Sequence, residues 1–135
     1  MATALIMLGA AAGFRMWVTS RTEQRRRNAE KLGAEATFEP GTRLPQRVDA
    51  VMETVGEATW SHSIRSVRNG GRVVISGATT GANPSAELTH VFYRQVSIVG
   101  STLGTREHLK RLTDFCTHTR LETNHRPRTA AGTRR

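Results

Sequence analysis

Thr19-Ser20-Arg21, with Arg25 one helical turn further on, sets two guanidinium groups beside the predicted start of a helix. A helix amino terminus presents unpaired N–H groups and the positive end of its dipole, so arginines placed there build a site for phosphate. Ser20-Arg21-Thr22-Glu23 also reads as a capping box, Ser20 at the N-cap and Glu23 at the third helical position. Capping alone would leave the two arginines solvated. Two further stretches bring small residues to predicted strand ends, Glu53-Thr54-Val55-Gly56 and Ser76-Gly77-Ala78-Thr79. Open αβ sheets bind ligands outside the carboxyl ends of their strands, and small residues there admit a flat ring. Ordinary turn chemistry accounts for the same residues equally well. The five histidines, His62, His90, His108, His118 and His125, show no metal-ligand spacing, and Cys116 is the single cysteine. A metal site and a disulfide framework are therefore not expected. No Ser/His/Asp arrangement follows from spacing.

These groups need elements to hold them. Thr3–Ala12 reads as a helix that is apolar all round and ends at Gly13, and Phe14–Thr19 as a strand. The helix after Ser20 runs to Leu32 and stops at Gly33. Ala36–Phe38 is a short strand, and Pro40, Gly41 and Pro45 mark a loop. Val48–Val55 is mostly apolar and is predicted as a strand buried on both faces. Trp60, Ile64 and Val67 recur at helical spacing. Asn69-Gly70-Gly71 turns the chain into the strand Arg72–Ser76. A loop then leads to a short helix over Leu88–Tyr93, a strand over Val96–Gly100, and a last helix capped by Thr105 and striped by Leu109, Leu112 and Phe115.

Strands alternating with helices predict an α/β fold with a doubly wound parallel sheet. In such sheets the end of the second strand reads the adenosine ribose. An acid there selects the 2′-hydroxyl of NAD, and an arginine accommodates the 2′-phosphate of NADP. Arg21 without an acid favours NADP. The G-x-G-x-x-G loop that would cradle the pyrophosphate is absent, and Ala2 falls where its last small residue would stand. In the strand order 3-2-1-4-5-6 the missing first strand is central. The expectation is a partial sheet in which Phe14–Thr19 and Val48–Thr54 lack their shared partner, an aggregation hazard.

Composition bounds the alternatives. The chain has 135 residues and a net charge of +9, concentrated at its end, where Arg120, Arg126, Arg128, Arg134 and Arg135 face Glu122 alone. Residues 1–116 are expected to form the domain and 117–135 a basic disordered tail. Arg25-Arg26-Arg27 and the tail suit a basic nucleic-acid-binding or non-enzymatic interaction module. No nucleic-acid motif supports that alternative, and aromatics for stacking are scarce. Met1–Phe14 is apolar but has no preceding basic residue and is too short to span a bilayer, so it reads as a helix. A cytoplasmic location without membrane contact is expected.

The run from Val18-Thr19-Ser20-Arg21 through Lys31-Leu32-Gly33-Ala34, then Val48–Gly56, then Asn69–Gly77, then Val99–Gly104, resembles the medium-chain dehydrogenase/reductase superfamily. It is most similar to the zinc-binding alcohol dehydrogenase-like and quinone oxidoreductase-like members, over about residues 2 to 116. The resemblance implies a Rossmann-type domain of an enzyme that transfers hydride between NAD(P)H and a carbonyl, quinone or enone. It implies Ser20 and Arg21 near the adenosine 2′-position, Thr54, Val55, Ser76, Gly77 and Ala78 on the nicotinamide side, and a homodimer through the strand at 96–100. The catalytic domain of such enzymes has no counterpart here, so the chain is expected to be a truncated form, weak or inactive alone.

Overall fold

Along residues 2–121, which a computed structural model describes, helices and strands alternate as the hydrophobic pattern predicts. They are α1 (Ala2–Ala11), β1 (Trp17–Thr19), α2 (Glu23–Lys31), β2 (Ala36–Phe38), β3 (Val48–Glu53), α3 (Glu57–Ser66), β4 (Val67–Ile75), α4 (Leu88–Tyr93), β5 (Ser97–Gly100) and α5 (Arg106–Thr119). Every ladder is parallel. β1 pairs with β2, and β3, β4 and β5 form a separate sheet in that order. Among the described residues no ladder joins β1 to β3. The fold is therefore Rossmann-like α/β with its strands in two parallel groups. No described helix is long and apolar enough to cross a membrane.

Each group has its own core. Trp60, Ile64, Val67, Val73 and Val96 cluster where α3 lies on β3 and β4, with Val51, Ile75 and Val91 around them. Ile6, Ala29 and Ala34 form a smaller cluster with Val18 and Leu32, between α1, α2 and β1. The first cluster is the larger because Trp60 and Ile64 sit four residues apart on one face of α3. α1 and α2 both end in the same way. The N–H of Gly33 bonds Glu30 and that of Ala34 bonds Ala29, closing α2 with Gly33 at φ +106°, a conformation open to glycine.

Several boundaries differ from the sequence expectation. β1 begins at Trp17, because Phe14 is exposed and its N–H closes the end of α1 on Gly9. Ser20 does not cap α2. Its N–H pairs with Phe38, extending the β1–β2 ladder, and Thr22 caps instead, accepting from the Arg25 N–H at 3.4 Å. The capping box lies in α5, between Thr105 and His108. α1 buries only Ile6. β3 is not buried on both faces: α3 packs on it, while Asp49, Ala50 and Met52 stay exposed. Val67 opens β4 rather than continuing α3, and Asn69-Gly70-Gly71 form a bulge within that strand, since Val67 pairs with Val48 and Arg72 with Ala50. α5 runs through Thr119, so the expected boundary at 116/117 falls inside a helix. The expected tail beyond Leu121 lies outside the described residues.

The turn from β3 into α3 is built on Glu53, which is 3% exposed. Its Oε1 accepts from the Val55 N–H at 2.8 Å, the Gly56 N–H at 3.0 Å and the Thr59 hydroxyl at 2.9 Å. The Ser63 hydroxyl donates to Oε2. Burial works to raise the carboxyl pKa. The donated bonds from Ser63, Gly56, Val55 and Thr59 outweigh it and hold the group below the ordinary glutamate value.

Two measurements follow from this packing. Ile64 is fully buried, and Ile64→Ala should cost about 3 kcal/mol in urea unfolding; a loss under about 1 kcal/mol would contradict the assigned core. A depressed carboxyl pKa adds stability above the unfolded-state value and loses it as pH falls through the folded-state value. The urea midpoint should therefore fall below about pH 4.5 and do so less steeply in Glu53→Gln; parallel pH curves for the two proteins would contradict the bonding of Glu53.

Candidate functional site

Both groups of expected site residues lie at carboxyl ends of parallel strands, but on different sheets. Ser20 follows β1. Thr54 and Val55 follow β3, and Ser76, Gly77 and Ala78 follow β4. The crossover helices α2 and α3 start from these same ends, which is what a parallel strand–helix repeat requires.

At the end of β1, Ser20 is half-buried. Its carbonyl accepts from Arg26 Nη1 at 2.7 Å, and Arg26 Nη2 reaches Glu39 at 3.1 Å. Arg26 thereby ties the β1–α2 turn to the residue after β2. Arg27 pairs with Glu23 one turn back in α2. Arg21 and Arg25 are exposed, and neither forms an ion pair among the described residues. Of four arginines within seven residues, two are neutralised and two remain available beside the amino end of α2. Sequence reasoning missed the part played by Arg26. Glu39 is its only separated signal, and nothing in spacing ties a residue after β2 to the middle of α2.

At the ends of β3 and β4 the structure brings Thr54, Val55, Ser76, Gly77 and Ala78 together. The Ser76 N–H donates to the Glu53 carbonyl at 2.9 Å, continuing the ladder one step past the end of β4. A Cβ on Gly77 would stand 2.8 Å from the Thr54 carbonyl oxygen, so only glycine lets these two turns close. The Val55 carbonyl accepts from the Thr80 N–H at 2.8 Å and the Thr80 hydroxyl at 2.9 Å. The Thr80 hydroxyl in turn accepts from the Ala58 N–H at 3.0 Å, and the Gly81 carbonyl accepts from the Glu57 N–H at 3.2 Å. Gly56, at φ +98°, is pressed against Gly81 and Ala78. The result is a continuous rim made of two turns, with half-buried Thr54, Val55, Ser76 and Gly77 and exposed Ala78. Two shallow concavities lie elsewhere, one among Met7, Ala10, Lys31, Leu32 and Leu121, the other along α5 at Thr105, His108, Leu109 and Leu112.

Among the described residues no three His, Cys, Asp or Glu side chains gather as a metal site. His62 bonds the Thr42 carbonyl at 2.9 Å, and His108 is taken up in the capping box of α5.

The comparisons with known proteins agree with this fold. A model of the zinc-binding dehydrogenase family matches residues 1–118. No curated protein matches the chain. Among solved structures, an NAD-dependent alcohol dehydrogenase is 30% identical with a TM-score of 0.76, over 86% of this chain and 37% of its own. A quinone oxidoreductase of Pseudomonas syringae pv. Tomato DC3000 is 20% identical with a TM-score of 0.78, over 91% of this chain and 44% of its own. The YhdH protein of E. coli K-12, solved with bound NADPH, is 18% identical with a TM-score of 0.70, over 87% of this chain and 38% of its own. This chain thus spans less than half the length of each. The described side chains do not fit the metal in the family's description. The order of strands and helices is shared with these structures. The chain belongs to the zinc-binding dehydrogenase family.

Proposed function

We propose that this chain is the dinucleotide-binding part of an NADP-preferring oxidoreductase, one that moves hydride between NADPH and a carbonyl, quinone or enone. The observation that carries this reading is the pair of unneutralised guanidiniums, Arg21 and Arg25, at the carboxyl end of β1, beside Arg26 and Arg27, which are already paired with carboxylates. Those two free charges suit a 2′-phosphate, with Ser20 positioned against the ribose. Thr54, Val55, Ser76, Gly77 and Ala78 would form the wall along the nicotinamide, where backbone groups and small side chains let a flat ring approach. The bound dinucleotide supplies the hydride, and this chain's residues orient it. Catalysis by residues 1–135 alone is expected to be weak or absent, since the neighbours bring more than half of their length from outside the matched region.

The family likeness also supports self-association through β5. One edge of β5 pairs with β4, and all four of its residues are exposed, with Ile98 and Val99 at 41% and 42%. An uncovered apolar edge strand is a template for pairing with a second copy.

Calorimetric titration of the purified chain with NADPH and NADH tests the cofactor reading. NADPH should bind more tightly, and Arg21→Ala should weaken NADPH by about tenfold or more while leaving NADH unchanged. Equal losses for both cofactors would remove the basis for the preference. Ile98→Lys should shift the chain from dimer to monomer in concentration-dependent size exclusion; a monomer at every concentration before substitution would remove the β5 interface.

A further inference from the structure

We infer that Glu53 is a positioning residue for the nicotinamide-facing rim, a role that rests on the dinucleotide reading above and assigns this buried carboxylate a part in cofactor binding. Glu53 ends β3 with its side chain folded back under the turn that follows. It holds the N–H groups of Val55 and Gly56, and through Thr59 and Ser63 it fixes that turn to the first two turns of α3. Glu53 thus holds the first turn of the rim from beneath, through the backbone of Val55 and Gly56.

The reach of Glu53 comes from Val55. The N–H of this residue is held by Glu53, and its carbonyl receives the Thr80 N–H, the Thr80 hydroxyl and, at 3.4 Å, the Thr79 hydroxyl. Residues 76–81 have no regular secondary structure of their own. They are ordered by the ladder step from Ser76 to Glu53, by the Val55 carbonyl, and by Glu57 on Gly81. Val55 is thus the hinge between one buried acid and the whole second turn of the rim. Gly56 makes the link tight. Its Cβ position would fall 2.5 Å from the Gly81 oxygen, so a small rotation of the 55–56 backbone displaces residues 78–81.

An acid is better suited here than a neutral acceptor. Its Oε1 takes three donors at once, and bonds to an ionised acceptor are about twice as strong as neutral ones. A side chain of similar size without an acceptor would leave two backbone N–H groups buried and unpaired. The turn would then have to open to water, carrying Val55 and the attached loop with it.

The test uses the full chain with Glu53→Met, which removes the acceptors, and Glu53→Gln, which keeps one acceptor oxygen. Amide hydrogen exchange of Val55, Gly56, Thr80 and Gly81 reads the rim directly. Calorimetry with NADPH and with 2′,5′-ADP, which lacks the nicotinamide half, separates the two ends of the site. Glu53→Met should lose protection at all four amides and weaken NADPH by about tenfold, with 2′,5′-ADP unchanged and Glu53→Gln falling between Glu53→Met and the parent protein. Thr80→Val breaks the far end of the same chain of bonds and should reproduce the effect if Glu53→Met does not fold. Unchanged protection at Thr80 and Gly81 in the folded variants would overturn the inference. So would equal weakening of NADPH and 2′,5′-ADP, the mark of general destabilisation. A parent chain that binds neither ligand would overturn the dinucleotide reading and the cofactor role together, while the exchange data would still decide whether Glu53 holds the rim.

Discussion

A carboxylate removed from water is tolerated only when donors replace its hydration, and Glu53 meets that condition with four hydrogen bonds inside ten residues of chain. The constraint shapes everything near it. β3 must stop at Glu53 so that the following N–H groups can turn back toward the side chain. α3 must start at Glu57 so that Thr59 and Ser63 face the same oxygen pair. Trp60 and Ile64 are then aimed into the core with Val67 and Val73. One satisfied acid thus sets the direction of α3, the depth of the main core and the shape of the turn facing the site.

The two-group arrangement has a second consequence. The arginines after β1 and the rim after β3 and β4 belong to sheets that share no ladder among the described residues. Each half has its own core, and the smaller, around Ile6, Ala29 and Ala34, has less apolar surface to hold it. The half that carries Arg21 and Arg25 is therefore the weaker of the two. In its turn, Arg26 bridges Ser20 and Glu39.

Much of this was legible in the sequence. The alternation of elements, Gly33 as the stop of α2, the helix Leu88–Tyr93 and the Thr105 cap all follow from local propensity, and the structure reproduces them. The meeting of Thr54–Val55 with Ser76–Ala78 follows from the parallel pairing of β3 with β4. What was not legible depends on tertiary pairing. Ser20 and Thr22 are equally good caps by type. Only the bond from Ser20 to Phe38 on another strand decides between them. Val67 fits a helical period with Trp60 and Ile64, yet pairing with Val48 places it in β4, and it reaches the same core from there. Glu53 stood in the sequence as one polar residue of an apolar run. Its partners Thr59 and Ser63 are near in sequence, but their spacing carries meaning only once a turn after β3 is known.

The central claim is that the two strand-end groups act on one ligand. The direct measurement is an amide chemical-shift map of the full chain titrated with NADPH. Saturable shifts at Ser20–Arg25 together with Thr54–Gly56 and Ser76–Ala78, all following one dissociation constant, are the predicted result. Shifts confined to one group, or separate constants for the two, would contradict it.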